Sequence, residues 1–347
     1  MIDLEKGKIL MSEINKVAFS VLDLASRRDS DDGPAPALER SLALAQHVDA
    51  LGFTRFWVAE HHNMDAIVSS ATAVVIGYLA AGTKRIRIGA GGVMLPNHAP
   101  LIIAEQFGTL EALYPGRIDL GLGRAPGTDP LTTRALRKNR LGSSDDFPED
   151  LSELQHYLGP RAAGQQVIAM PGVDSKVPIW LLGSSLFSAQ LAARRGLPYA
   201  FASHFAPRLM KQAVELYRHH FTPSPSLAKP YVMLGIPLVA AETDTQAAFL
   251  ATTTFQRILS LLRGQSLLMR PPVPSMEDLW LPQEEQAVHD FLGMAMIGSA
   301  ATIERKLKSL LQETQADELI FTCDLYEHPD RLRSFEILAG LRGDGRG

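Results

Sequence analysis

The stretch that decides the fold is Phe56-Trp57-Val58-Ala59-Glu60-His61-His62-Asn63, in which an apolar run ends abruptly in an acid and two histidines. The apolar part is typical of a buried strand, and the ionisable residues follow it at once. In a chain of alternating strands and helices, such residues gather at the C-terminal edge of a parallel sheet and build a functional site there. We therefore expect this stretch to be a strand whose end carries part of an active site.

Strand-like runs of the same kind recur along the chain, with helical patterns between them. Including the first, the predicted strands are 17–22, 55–59, 86–89, 118–122, 179–182, 199–202, 231–240 and 318–323. Eight strands interleaved with helices favour a parallel sheet, and the short crossovers without a polar edge strand favour its closure. The predicted fold is therefore α/β, a (β/α)8 TIM barrel with insertions.

The length of 347 residues suits one barrel with insertions. We predict an N-terminal extension over residues 1–15 and a single barrel domain over 16–343. The regular rhythm is lost at 139–177 and 264–297, and these two excursions are predicted to cover the site. Residues 264–281 are rich in proline and without a sustained helical period, which predicts a mobile lid.

The composition excludes several classes of function. A formal charge of −4, a pI near 6.2 and the absence of a basic block give no attraction to nucleic acid or to an anionic membrane. No apolar run approaches the ~20 residues of a membrane helix. The single cysteine, Cys323, lies in a predicted core strand and cannot form an internal disulfide. With no signal-peptide pattern at the N-terminus, we expect a cytoplasmic location.

Residues at two strand ends are suited to an oxyanion. Arg124 ends the fourth predicted strand with a planar five-donor fork that matches phosphate. Ser184 and Ser185 open the helix after the fifth strand, where free N–H groups and the helix dipole favour an anion. Ser188 lies one turn further on. Simple helix capping by Ser184 or Ser185 remains the alternative interpretation of the serines.

A glycine pair and a histidine pair follow two other strands. Gly91 and Gly92 permit close approach of a flat ligand to the backbone, although a turn would use them equally well. His61 and His62 are adjacent and point to opposite sides, and no H-x-x-H pattern or Cys partner is present. No metal site is therefore predicted. One histidine can serve as a proton donor or base in the barrel mouth, and the other can hydrogen-bond structurally.

Taken together, these motifs resemble those of the bacterial luciferase-like flavin monooxygenases, in the same order and from about residue 17 to residue 341. The matching segments are Val58-Ala59-Glu60-His61-His62, Gly91-Gly92-Val93-Met94-Leu95-Pro96, Ala104-Glu105-Gln106, Pro115-Gly116-Arg117-Ile118-Asp119-Leu120-Gly121-Leu122-Gly123-Arg124, and Gly183-Ser184-Ser185 with Arg195-Gly196-Leu197-Pro198.

The resemblance implies an FMN site at the C-terminal mouth of the barrel. A non-proline cis peptide would support the isoalloxazine ring at Gly91–Gly92. Its phosphate would be held by Arg124, by the backbone of Ser184 and by two further serines, Ser185 and Ser188. His61 corresponds to the catalytic histidine of the family, and its neighbour Glu60 is predicted as a further cofactor-binding residue.

The resemblance also implies a reaction and partners. A separate flavin reductase would supply reduced FMN, which reacts with O2 through a C4a-peroxyflavin to oxidise a small organic substrate. Two alternatives stay open: a deazaflavin-dependent hydride-transfer oxidoreductase, and a non-catalytic flavin-binding protein. The helix predicted over 69–81 is apolar nearly all round, and the family pairs through this region, so we expect a homodimer.

Overall fold

The structure is a computed structural model that describes residues 14–125, 129–136 and 146–342. Most of the predicted N-terminal extension and residues 139–145 of the first excursion lie outside this range, as does residue 343. None of the helices in the described parts combines the length and the apolar character that a membrane span requires.

In the described parts of the chain, nine strands run parallel to one another, and eight of them form a closed ring. The strands are β1 (Ala18–Asp23), β2 (Arg55–Val58), β3 (Arg87–Met94), β4 (Ile118–Gly123), β5 (Ile179–Gly183), β6 (Tyr199–Phe201), β7 (Val232–Ala240), β8 (Met296–Gly298) and β9 (Glu318–Thr322). Strands β1 to β6 pair in sequence order, β6 pairs with β7, β7 with β9, and β9 with β1. The predicted (β/α)8 barrel is confirmed.

Helices surround this ring on the outside. They are α1 (Ala35–Ala50), α2 (Thr72–Gly82), α3 (Pro100–Leu113), α4 (Pro130–Leu136), α5 (Phe147–Leu158), α6 (Leu186–Arg195), α7 (Met210–His219), α8 (Asp244–Leu262), α9 (Pro282–Phe291), α10 (Ala300–Thr314) and α11 (His328–Gly340). Local signals set several of their ends. Gly52, with φ of 78°, follows α1, and Gly196, with φ of 60°, caps α6.

Two elements of the second excursion go beyond the sequence prediction. Strand β8 adds three residues to the outer end of β7, outside the ring. Helix α9 begins at Pro282, and the carboxylate of Glu284 accepts a hydrogen bond from the Leu281 backbone N–H at 2.8 Å. The excursion over 264–297 is therefore partly regular structure packed on α8.

The N-terminal end of the barrel interior is closed by a buried ionic network. Arg55 lies 2.7 Å from a carboxylate oxygen of Asp119 and 3.1 Å from one of Glu318, and both acids are fully buried. Trp57 donates its indole N–H to Asp119 at 3.1 Å, and Tyr231 donates its hydroxyl to Glu318 at 2.9 Å. Because charges and hydrogen-bonding groups are satisfied here, this end is a rigid floor, and the opposite end remains open for a site.

Candidate active site

A cavity of about 410 Å³ opens at the C-terminal ends of the barrel strands. We call it the mouth cavity. Seven of the eight predicted site residues line it, namely His61, Gly91, Gly92, Arg124, Ser184, Ser185 and Ser188. Its inner wall is apolar and includes Leu22 and Trp57, which separate it from the ionic floor.

Arg124 is half-buried on one side of the mouth cavity and stacks on an aromatic ring. Its guanidinium carbon lies 4.3 Å from the ring centroid of Phe187, in the first turn of α6. Stacking of this kind uses the flat face of the guanidinium. The N–H groups at its edge stay available to donate to a planar group or to phosphate oxygens. The contact therefore orients the fork along the cavity wall.

The start of α6 faces the same cavity. Ser185 is the N-cap residue of this helix by its extended backbone, but its side chain makes no capping hydrogen bond. Ser188, one turn on, donates its hydroxyl to the Ser185 carbonyl at 2.9 Å and lies 3.3 Å from the Tyr199 hydroxyl. A side chain at Gly183 would overlap Ser188. The helix end thus presents its N–H groups and a serine hydroxyl to the cavity, as an anion site requires.

The peptide bond between Gly91 and Gly92 is cis, as the resemblance implies. Both glycines lie inside β3, which continues to Met94 instead of ending at residue 89. An added Cβ on Gly92 would come within 2.7 Å of the Gly121 carbonyl oxygen, and one on Gly91 within 2.7 Å of Leu22. The backbone therefore lines the cavity here without side chains, which suits a flat ring laid against it.

Two histidines lie at the border between the mouth cavity and a neighbouring cavity. His61 and His204 line both spaces. Burial lowers the pKa of His204 to about 4, and nearby His61 lowers it further, although Asp324 acts in the opposite direction. The His204 imidazole is therefore neutral near pH 7. It lies so close to Gly235 that any side chain at that position would overlap it.

Glu60, predicted to bind the cofactor, is not among the residues that line the mouth cavity. It is 1% exposed, and one carboxylate oxygen lies 2.8 Å from Nε2 of both His62 and His98. The other oxygen accepts the Met94 backbone N–H at 3.1 Å. Burial raises the pKa of Glu60, but the hydrogen bonds of His98 and His62 outweigh it and hold the pKa below its ordinary value. An ionised Glu60 therefore ties the end of β2 to the exit of β3.

The same three side chains form a group with metal-ligating geometry. Among the residues that the structure describes, the ligand atoms of Glu60, His62 and His98 lie within 4.8 Å of one another. Two imidazoles and a carboxylate are a donor set that zinc or ferrous iron accepts. His62 and His98 are also placed to donate hydrogen bonds to the carboxylate, an arrangement that satisfies its oxygens without an ion.

Three residues of the site region were not predicted as such from the sequence. Phe187 and His204 become functional candidates only through tertiary contacts, and His98 lies on the loop after β3, 38 residues from Glu60. The sequence signal for His204 is its position just after β6, at the same barrel edge as the other site residues.

Comparison with known proteins bears on the class of the site. The family model for luciferase-like monooxygenases matches residues 17–318. The chain is 52% identical to the Bacillus subtilis protein YvbT over 308 residues, covering 88% of this chain and 91% of that protein. It is 49% identical to a luciferase-like monooxygenase of Escherichia coli over 326 residues, covering 94% and 97%. An N-acetyl-S-alkylcysteine monooxygenase of Bacillus subtilis is 40% identical over 237 residues, covering 67% and 70%.

Solved structures share the fold. The crystal structure of apo-MsnO8 superimposes with a TM-score of 0.83 at 33% identity, covering 95% of this chain and 98% of that one. The oxygenating constituent of a 3,6-diketocamphane monooxygenase from Pseudomonas putida, in complex with FMN, superimposes with a TM-score of 0.71 at 16% identity. The match covers 93% of this chain and 97% of that one. An F420-dependent secondary alcohol dehydrogenase superimposes with a TM-score of 0.63 at 15% identity, covering 95% of this chain and 100% of that one.

Proposed function

The chain belongs to the luciferase-like monooxygenase family, and we propose that it binds reduced FMN in the mouth cavity and uses it with O2 to oxidise a small organic substrate. Membership makes it an enzyme of the flavin-dependent monooxygenase class. The observation that carries the choice of FMN is the convergence of Arg124, Ser185, Ser188 and the Gly91–Gly92 backbone on one cavity.

The residues of the mouth cavity fit this cofactor. The Arg124 fork and the start of α6 would hold the FMN phosphate, since the Ser185 side chain is not engaged in capping its own helix. The flat backbone at Gly91 and Gly92 would lie against the ring system. Reduced FMN, when bound, supplies the electrons with which O2 oxidises a substrate.

The protein's part in the reaction is to orient, to exclude water and to handle a proton. Apolar residues such as Leu22, Trp57 and Ala200 line the inner wall and keep water away from the reacting groups. His61 reaches the border of the cavity, where its imidazole would hold or move a proton during oxygen transfer. The hydrogen bonds of Glu60 to His62 and His98 hold the segment that carries His61.

The flavin would arrive from a separate flavin reductase. FMN bound by a phosphate site and a backbone platform in an open cavity can exchange with solvent, as a two-component system requires. The resemblance to two-component flavin monooxygenases supports the same arrangement. Free reduced FMN reacts with O2 by itself, so a mixture of the protein with a reductase that produces reduced FMN is compared with the reductase alone. With substrate present, the mixture should release less hydrogen peroxide per O2 consumed.

A deazaflavin-dependent hydride-transfer enzyme is the second candidate, since an F420-dependent dehydrogenase shares this fold. Anaerobic titration with reduced FMN and, separately, with reduced deazaflavin distinguishes the two. We expect tighter binding of reduced FMN and, when air is admitted, O2 uptake at a rate different from that of the same amount of free reduced FMN, which reacts with O2 by itself. Binding of the deazaflavin alone, without O2 uptake, would refute the proposal.

A further inference from the structure

A second cavity, which we call the side chamber, lies next to the mouth cavity and has a volume of about 140 Å³. The two share Leu24, His61, His204, Phe205 and Thr322 as lining residues. A molecule in the side chamber would therefore meet a ligand in the mouth cavity at the two histidines. This contact surface makes the chamber a second binding site of the same active centre.

Most of the chamber wall is apolar. It is formed by the outer end of β7, one face of α8 and the region that follows α9, and includes Leu238, Val239, Ile258, Leu261, Leu292 and Ile297. Such a wall stabilises a bound molecule mainly through buried apolar area. The shape and chemistry suit a compact hydrocarbon body.

The charged side chains in the chamber wall neutralise each other. Nη1 of Arg257 lies 2.6 Å from Oδ1 of Asp324 and donates a hydrogen bond to the Ser26 hydroxyl at 2.9 Å. Arg257 is 5% exposed, so this pair is fixed in the wall rather than free in solvent. The neighbouring His204 imidazole is neutral near pH 7. Among the lining residues that the structure describes, the Asp and Arg side chains therefore leave no unpaired charge.

We propose that the side chamber binds the organic substrate and that this substrate is an uncharged molecule with a compact apolar body and one polar group directed at His61 and His204. The inference rests on the proposed function, because it assigns the mouth cavity to the flavin. A carboxylate or ammonium head group would be buried without a free counter-charge, because Arg257 and Asp324 already pair with each other. Burying such a charge is strongly unfavourable.

An open cleft gives access to the chamber from solvent. It shares Met64, Leu261 and Leu267 with the chamber, and Gly264 and Gln265 form its rim. The substrate would therefore enter beside the start of the predicted lid, through a cleft whose lining does not include Arg124, Ser185 or Ser188. The two ligands can then bind and leave by separate routes.

Three eight-carbon probes test the charge preference: 1-octanol, octanoate and octylammonium. Their binding to the FMN-loaded protein is measured by isothermal titration calorimetry at pH 7. We expect 1-octanol to bind at least tenfold more tightly than either ion. Equal or tighter binding of octanoate or octylammonium would overturn the proposal.

The substitution Asp324→Asn tests the cause of the preference, because it leaves Arg257 without its counter-charge. The ratio of octanoate affinity to octanol affinity should rise at least tenfold, while an unchanged ratio would overturn the role assigned to the pair.

Ala295→Phe should fill the chamber and weaken octanol binding at least tenfold. The matched control Ala228→Phe, on an exposed loop, should leave the affinity for 1-octanol unchanged.

FMN affinity and melting temperature are measured on every variant, so that misfolding is recognised. If FMN fails to bind while 1-octanol still binds at the chamber, the proposed function fails and the chamber assignment stands. If FMN binds and no probe does, or if Ala295→Phe binds octanol as the native protein does, the chamber assignment fails and the proposed function stands.

Discussion

At the scale of single residues, Arg124 is the side chain on which the proposed phosphate site depends most. Replacing it by alanine removes a charge-assisted hydrogen-bonding group whose net contribution is roughly 1.5–3 kcal/mol. We expect Arg124→Ala to weaken reduced-FMN binding by about that amount in an anaerobic titration. Arg161→Ala, at an exposed position away from the cavity, is the matched control. Equal FMN affinities of the native protein and Arg124→Ala would remove Arg124 from the site.

His61 is expected to affect chemistry more than flavin binding. General acid–base assistance contributes ~10²–10⁴-fold in rate. His61→Ala should keep most of the FMN affinity, lose substrate oxidation and release more hydrogen peroxide from reduced FMN and O2. Peroxide yield and melting temperature are measured on the same preparation, with the exposed His156→Ala as control. Unchanged peroxide yield with a lowered melting temperature would leave His61 a structural role only.

Glu60 is expected to stabilise the fold around the site. Glu60→Gln removes the buried charge that accepts hydrogen bonds from His62, His98 and the Met94 backbone. Leaving such donors poorly satisfied costs about 1–3 kcal/mol. Urea unfolding should show this loss, whereas the exposed Glu149→Gln should be close to neutral. A loss of stability that depends on added chelator would instead identify a bound metal ion as the stabilising partner.

Residue identities at the strand ends could be predicted from the sequence, but side-chain directions could not. Seven predicted site residues line one cavity because every parallel strand of a barrel presents its C-terminal end at the same edge. Glu60 turns away from that cavity because His98, 38 residues later, provides its partner. His204 depends on the same kind of distant contact. No local pattern encodes either pairing.

At the scale of elements, strands with long apolar runs were predictable and short or glycine-containing parts were not. Seven of the eight ring strands follow the predicted ranges closely, since burial on both faces gives near-continuous apolar sequences. The continuation of β3 through Gly91 and Gly92 was missed because glycine is depleted in strands. Strand β8 has three residues, too few for a periodic signal. Helix α9 carries a readable start, Pro282 followed by Glu284, within a segment that otherwise reads as irregular.

The second excursion is expected to be mobile in only one part. The backbone N–H of Met269 donates to the Arg27 carbonyl at 3.0 Å, and that of Val273 donates to the Thr252 hydroxyl at 2.8 Å. At the rim of the cleft, the N–H groups of Gly264 and Gln265 also donate, to the Leu261 and Ser260 carbonyls, whereas the Leu268 N–H meets the Ser266 hydroxyl at 3.4 Å. Hydrogen exchange should therefore be fast at 266–268 in the free protein and slower with FMN and a chamber ligand, while the Met269 and Val273 amides stay protected throughout. Strong protection of 266–268 in the free protein would contradict a lid there.

At the scale of the whole molecule, the barrel separates stability from function along its axis. The ionic network of Arg55, Asp119 and Glu318 fills the N-terminal end, and both cavities lie at the C-terminal end. Changes at the mouth can therefore alter ligand binding without opening the floor. The outer surfaces of the helices belong to neither end of the barrel interior and can take part in subunit contacts.

A homodimer is expected to form through the outer face of α2. The inner face, including Val75, Ile76 and Leu79, packs on the barrel, whereas Val74 is 73% and Tyr78 is 43% exposed one turn apart. Val74 and Tyr78 therefore form an exposed apolar patch on α2, and Ile102 on the neighbouring α3 is also 45% exposed. Exposed apolar side chains of this kind mark subunit contacts.

Placing a charge in this patch should dissociate the dimer, because an unpaired carboxylate buried in an apolar interface is strongly unfavourable. We expect sedimentation at micromolar concentration to show a dimer for the native protein and a monomer for Val74→Glu or Tyr78→Glu. Phe249→Glu, at a position 42% exposed on α8, three strands away around the ring, should remain dimeric. If the native protein sediments as a monomer, the dimer prediction fails outright. If Val74→Glu and Tyr78→Glu both stay dimeric, the interface lies elsewhere, and the patch around α2 is a surface without a partner copy.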